Sequence, residues 1–409
     1  MTTHGFETKA IHVKTPKQDV HGAIKFPIYA GAAFAFESAE AIEDAFAFRK
    51  PAHAYSRVTN PTVEAFERKI NALEDGRGAI AVASGMAAIT NAVLNLVKQG
   101  ENIVSSDAIF GNTYSLFVHT LKGLGIETRF FDVDKPDSLS KLMDDKTRVL
   151  FLETISNPKM NVPDIKKLAD MAHEKNIAVI VDSTVTTPYL FTGRPAGADV
   201  VIHSSTKLIS GGATGIGGVI TDAGNNNWSG FPALKPYAKF GKWAFLGRLR
   251  SEVYRNTGAC MSPHIAYLHS LGLETLALRV EKTCENTLKT AEFLKGQDQV
   301  ISVSYPGLLD SKYHEIAKKL FKNRFGGVIS FRLLNREKCF DFINRLKLIK
   351  RASNLGDNTS LVIHPASTIF HEFSEKEKEA MGVTENLIRL SVGIETVDDL
   401  ISDILQAME

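Results

Sequence analysis

Between residues 79 and 221, short apolar runs recur with room for a helix between several of them. This alternation constrains the fold more than any other feature of the chain. The runs are "AIAVA" (79–83), "NIVSS" (102–106), "RVLFLE" (148–153), "IAVIVD" (177–182), "DVVIHS" (199–204) and "GGVIT" (217–221). Each is too short for a helix and apolar enough for a strand buried on both faces. Helical stretches such as "GMAAITNAVLNLVKQG" separate several of them. Such alternation predicts an α/β fold with a mostly parallel central sheet covered by helices on both faces. Just upstream, "NPTVEAFERKINALEDG" predicts a helix with Asn60 as N-cap and Pro61 in the first position. Val63, Phe66, Ile70 and Leu73 share one face of it, and Gly76 is expected to close it.

The flanks read differently. Residues 1–52 form an arm rich in Phe and Ala, of which only the second half reads as a helix. Such an arm is expected to pack on something else, such as another subunit. Residues 53–255 carry the alternating pattern, ending in a polar, aromatic excursion, "NNNWSGFPALKPYAKFGKW". A helical region from about Pro263 to Leu294 follows, then strands ("GGVISFRL", "LIRLSV") mixed with helices to "ETVDDLISDILQAM". Residues 256–409 therefore read as a smaller α+β C-terminal domain.

Bulk properties narrow the function. The 48 basic and 46 acidic residues leave a net charge of +2, which argues against nucleic-acid or membrane binding and favours small-molecule work. Cys260, Cys284 and Cys339 are far apart and form no CxxC, so a reducing, cytoplasmic setting is expected. The start, "MTTHGFETKAIHVKT", lacks the apolar core of a signal peptide, and no run approaches the length of a membrane span. The 12 histidines are scattered without an HExxH, so no metal is expected. "HEIAK" and "HEKN" read as solvated faces of amphipathic helices. "GGATGIGG" (211–218) lacks the GxGxxG spacing and precedes a strand, which counts against a nicotinamide-dependent dehydrogenase.

Ligands of open α/β sheets sit beyond the carboxyl ends of the strands, and several polar residues fall there. Ser84, Gly85 and Met86 follow the first strand and open a helix. That turn suits a phosphate, or is simply a capped turn. Asp182 ends its strand, either to cap the next segment or to meet a buried cation. Ser204, Ser205, Thr206 and Lys207 follow another strand. Their hydroxyls can hold phosphate oxygens and the amine can attack a carbonyl, or they form a solvated loop. An acid, a lysine and two phosphate-type turns at the ends of one sheet are the set a pyridoxal phosphate enzyme needs.

The chain resembles the cysteine and methionine metabolism family of pyridoxal phosphate enzymes almost end to end. The motifs that carry the resemblance are "YSRVTNPT" (55–62), "ASGMAAI" (83–89), "ETISNP" (153–158), "VDST" (181–184), "HSSTK" (203–207) and "RLSVGIE" (389–395). The resemblance implies the fold-type I, aminotransferase-like architecture, with 53–255 as the pyridoxal phosphate-binding domain. It implies that Lys207 bonds the cofactor and that Asp182 meets its ring nitrogen. Ser84, Gly85, Met86, Ser204 and Thr206 would cradle the phosphate, and Tyr114 would stack on the ring. Asn157 would touch the cofactor and substrate. Arg389 would clamp the substrate carboxylate, with Ser353 as a further substrate contact. Tyr55 and Arg57 would reach the phosphate of a neighbouring subunit, so a homo-oligomer is implied, commonly a tetramer.

Within the family, "SNLGDNTSLVIHPAST" (353–368) most resembles the O-acetylhomoserine sulfhydrylases. That implies γ-replacement of the acetate of O-acetyl-L-homoserine by sulfide or methanethiol, giving homocysteine or methionine. Lys207 and Tyr114 would carry the protons. Cystathionine γ-synthase, cystathionine γ-lyase and methionine γ-lyase use nearly the same residues and remain alternatives. One departure concerns the turn after the lysine, "LISGGA". With the paired glycines aligned, Ala213 stands where the family often has a histidine.

Overall fold

The computed structural model describes residues 4–13, 19, 21–47 and 49–409. Its first sheet has seven strands: β1 (Gly78–Val82), β2 (Asn102–Ser106), β3 (Glu127–Phe131), β4 (Thr147–Glu153), β5 (Ala178–Asp182), β6 (Val200–His203) and β7 (Gly218–Asp222). Their spatial order is β1-β7-β6-β5-β4-β2-β3. Only β7 runs against the rest, paired antiparallel with both β1 and β6. The carboxyl ends of β1, β4, β5 and β6 therefore share one edge. The alternation of side chains distributes each strand between two layers. In β4, Leu150 and Leu152 join one apolar cluster, while Val149 and Phe151 join the other.

Six of these strands match the apolar runs. The seventh, β3, was not expected. "ETRFF" is an edge strand paired only with β2, and only Phe131 of it is buried. A half-exposed edge tolerates charges that hide it from an apolar-run reading.

The helix Pro61–Glu74 starts as expected, with Asn60 Oδ1 accepting from the N–H groups of Thr62 and Val63 (2.9 and 3.3 Å). Its end differs. Asp75, not Gly76, takes the left-handed conformation (φ +52°). Gly76 is needed for another reason: a Cβ there would lie 2.6 Å from Thr221 Cγ2 and 2.9 Å from the Asp222 carbonyl. The excursion after β7 is anchored rather than loose. Trp228 is buried, stacks on Phe245 (4.7 Å) and donates through Nε1 to Asp222 Oδ2 (2.9 Å).

The second sheet comprises β8 (Ser302–Ser304), β9 (Val328–Arg332), β10 (Lys350–Arg351), β11 (Leu361–Ile363) and β12 (Leu387–Ser391). Its order is β10-β11-β12-β9-β8, antiparallel except for β10 against β11. The helices Pro263–Glu274 and Leu276–Lys295 precede it, and Val397–Met408 closes the chain. One apolar cluster joins the sheets, from Leu150 and Val179 to Ile329, Leu390 and Ile404. In the arm, the helix Ala39–Phe46 buries none of its residues within the chain.

Two histidines expected on solvated faces are engaged instead. His314 is buried and stacks on Phe325 (5.1 Å). His173 pairs through Nε2 with the buried Asp199 carboxylate (2.9 Å). The helical period placed both correctly on helices, but it cannot see a partner arriving from elsewhere in the chain.

Candidate active site

The edge where β1, β4, β5 and β6 end gathers three interlocked turns. Ser84 leaves β1 in an extended conformation and caps the helix Gly85–Leu94, its Oγ accepting from Ala87 N–H (3.1 Å). The N–H groups of Gly85 and Met86 find no acceptor among the described residues. They are the open donors of a helix N-terminus. Gly85 lies against the turn after β6: a Cβ on it would sit 2.6 Å from Ser204 Cβ. Ser204 is tied in turn to the segment after β5, its N–H donating to Thr184 Oγ1 (2.8 Å). Thr206 is committed differently. Its hydroxyl donates to the Gly217 carbonyl (3.1 Å) and accepts from Gly217 N–H (3.0 Å), so it braces the start of β7.

Beside this cradle stand two buried acids. Asp182 and Glu153 are direct partners in the register of β5 and β4, so their side chains share a face of the sheet. Asp182 Oδ1 accepts from Thr184 N–H (2.9 Å), and Glu153 Oε1 accepts from Phe110 N–H (2.7 Å). Burial raises the pKa of both, and the Asp182 charge raises Glu153 further. No lysine or arginine forms an ion pair with either among the described residues. Two adjacent carboxyls without a paired cation are costly in a dry interior. A protonated ring nitrogen would relieve that cost.

The amine and the guanidinium come from opposite sides. Lys207, half-buried after β6, donates from Nζ to Asn354 Oδ1. Burial, then the nearby Arg389 charge, pulls its pKa down to about 8, with Asp357 opposing. Arg389 lies in the middle of β12 and is only 2 % exposed. Its Nη1 donates to Asn157 Oδ1 (3.2 Å) and its Nη2 to the Asn354 carbonyl (2.9 Å), while Nε has no partner among the described residues. Burial lowers its pKa to about 10. A buried guanidinium with only neutral partners and one N–H open is suited to receive a carboxylate. Tyr114 stacks on Phe130 (5.1 Å, 28°) with Phe373 edge-on (5.7 Å). Burial, then Glu377, raises the pKa of its hydroxyl.

The family described as Cys/Met metabolism PLP-dependent enzyme matches residues 7–409. The chain belongs to that family. Among its relatives, the O-acetyl-L-homoserine sulfhydrylase of Corynebacterium glutamicum is 39% identical, over 98% of this chain and 96% of its own. The L-methionine gamma-lyase of Fusobacterium nucleatum is 38% identical, over 99% and 98%. A solved O-acetylhomoserine (thiol)-lyase of Campylobacter jejuni superposes with a TM-score of 0.95 at 37% identity, covering 99% of this chain and 100% of its own. That structure holds a pyridoxyl-lysine monophosphate. The architecture is thus the fold-type I arrangement, and the cofactor of this Cys/Met metabolism enzyme is pyridoxal phosphate. The geometry fits it: an open helix N-terminus and a serine for the phosphate, unpaired acids for the ring nitrogen, and an amine of lowered pKa.

Several expected residues stand apart from this cluster. Tyr55 and Arg57 are exposed. The Arg57 guanidinium lies 5.4 Å from the Tyr55 ring centre and donates to the Arg255 carbonyl (2.6 Å). Ser353 is exposed too, and its neighbour Asn354 makes the contacts with Lys207 and Arg389. Asn354 and Glu153 join this cluster without a role implied by the sequence, although each lies inside one of the motifs quoted above. Glu153 carried the same signal as Asp182, an acid closing an apolar strand. Ala213 is exposed in a left-handed conformation (φ +58°). The loop around it is instead met by His269 of the helix Pro263–Glu274, whose Nε2 lies 3.1 Å from the Gly215 carbonyl. Burial lowers the His269 pKa to about 4, so this imidazole is neutral at physiological pH.

Proposed function

We propose that this protein is a transferase that replaces the acetate of O-acetyl-L-homoserine by sulfide or methanethiol, giving homocysteine or methionine. The observation that carries an amino-acid substrate is Arg389, a buried guanidinium with no carboxylate partner among the described residues, joined through Asn354 to the Lys207 amine. The acyl-homoserine and the sulfur donor come from the sulfhydrylase relative.

In this reading Lys207 would hold the cofactor through Nζ, Asp182 would meet its ring nitrogen, and Tyr114 would stack on the ring. Ser84, Gly85, Met86, Ser204 and Thr206 would receive the phosphate, with Thr206 also bracing Gly217. Asn157 orients cofactor and substrate. Bound pyridoxal phosphate supplies an electron sink for charge developing at the substrate Cα. Arg389 fixes the substrate carboxylate. Lys207 would take the Cα proton at Nζ and serve with Tyr114 in moving protons at Cβ. Carboxylate binding also tunes the base. The Arg389 charge is one cause of the low Lys207 pKa, so neutralising it raises the basicity of Lys207 as the proton must be taken.

The same reading divides the chain into an arm (1–52), a cofactor domain (53–255) and a C-terminal domain (256–409). Exposed Tyr55 and Arg57 then serve the phosphate of a neighbouring subunit in a cytoplasmic homotetramer. The test is a steady-state comparison. Acetate release from O-acetylhomoserine is expected to be fastest with sulfide or methanethiol. It should exceed both release with cysteine as donor and cleavage of methionine. Dominant methionine cleavage would overturn the assignment.

A further inference from the structure

Lys207 follows a strand of the first sheet and Arg389 lies within the second, yet one residue touches both. Asn354 receives the Lys207 amine on its side-chain oxygen and the Arg389 guanidinium on its backbone carbonyl. The segment carrying it is fixed on both sides. Gly356 N–H donates to Ser391 Oγ (2.9 Å), two residues along β12 from Arg389. Gly356 has φ +66°, and a Cβ there would lie 3.1 Å from the Leu208 backbone nitrogen, so this segment sits directly on the lysine turn. Asn358 Nδ2 donates to the Gly211 carbonyl (3.0 Å) on the far side of that turn.

We propose that Asn354 is a positioning residue that holds the free Lys207 amine at a fixed place relative to the substrate carboxylate on Arg389. The inference rests on the reading of Lys207 and Arg389 given above. A neutral carboxamide suits the task. Its oxygen accepts from the amine whether or not the amine carries a proton, so it orients the base without adding a charge. Because the Arg389 contact comes from the backbone, side-chain substitutions separate the two functions.

The test compares holoenzyme carrying Asn354→Ala or Asn354→Asp with the wild type. Asn354→Ala should keep the visible band of bound cofactor and a KM for O-acetylhomoserine within about threefold of wild type. Its kcat should fall at least about tenfold, the ratio that a lost hydrogen bond to a charged group represents. Exchange of the Cα proton of L-2-aminobutyrate for deuterium, which needs no leaving group, should fall by the same factor. The protein stripped of cofactor gives a second readout, its rate of pyridoxal phosphate capture against pH. Asn354→Ala removes an acceptor that favours the charged amine and should move the rising limb to lower pH. Asn354→Asp adds a negative charge and should move it higher. Unmoved kcat, exchange and pH limb overturn the proposal. So does a parallel loss of kcat, KM and cofactor band, which marks a merely structural role. A wild-type protein without the band would overturn the parent reading instead.

Discussion

The two sheets build their halves of the site in opposite ways. The first sheet places Ser84, Glu153, Asp182, Ser204 and Lys207 at or just past strand ends, where parallel topology leaves backbone groups open and turns free to vary. The second places Arg389 in the middle of an antiparallel strand, with β9 on one side and β11 on the other. A strand end can change without disturbing a ladder, whereas a mid-strand arginine must be satisfied where it stands. Asn157 and Asn354 supply that, and the remaining Nε is left for a ligand. In the proposed reading, one half is a loading dock for the cofactor and the other a fixed receptor for the substrate.

The sharpest test of that division is Lys207→Ala. Loss of the base should lower activity at least about 1,000-fold, measured as homocysteine formed, and the visible cofactor band should be altered. In wild-type protein stripped of cofactor, a lysine pKa near 8 means the neutral amine appears as pH rises through that value. Capture of pyridoxal phosphate should accelerate over the same range. Arg389→Leu should leave the band intact while raising KM for O-acetylhomoserine roughly 100-fold, as expected for a lost charged hydrogen-bond pair. It should also shift the capture profile to higher pH, because one cause of the lowered lysine pKa is gone. Gly85→Ala should do the reverse of Arg389→Leu. Its methyl would meet Ser204, so the cofactor Kd should rise about tenfold while KM for the acyl-homoserine at saturating cofactor stays within about twofold. If Gly85→Ala raised KM and Arg389→Leu emptied the cofactor site, the two-halves picture would be wrong.

This contrast also governs what could be read from the sequence. The places of Asp182 and Lys207 at strand ends were legible because an apolar strand followed by a polar residue is a local pattern. The buried strands were legible for the same reason, and β3 was not, because an edge strand need not be apolar. Arg389 had no local signature. "LIRLS" reads as a strand with one charge, and only the family resemblance singled it out. Asn354 and the engagement of His314 depend on chain segments more than 100 residues away in the case of Lys207 and on a stacked ring in the case of His314. Spacing along the chain carries no trace of either. Thr206 adds something that its type and place do not announce: its hydroxyl also exchanges hydrogen bonds with Gly217.

The adjacent carboxyls of Glu153 and Asp182 make the cofactor part of the folded state's electrostatics. Each has its pKa raised in the fold, so the folded, cofactor-free chain holds more protons than the unfolded chain across the carboxylate range. Stability from this pair is therefore greatest in acid and drains away as pH rises through those raised values. On the proposed placement of the cofactor, a bound ring cation would reverse that trend by supplying the missing counter-charge. The rise in Tm on adding pyridoxal phosphate should accordingly be larger at pH 8 than at pH 5. In that sense the vitamin-derived ring works as a keystone ion, and a cell short of it would hold not only an idle enzyme but a softer one.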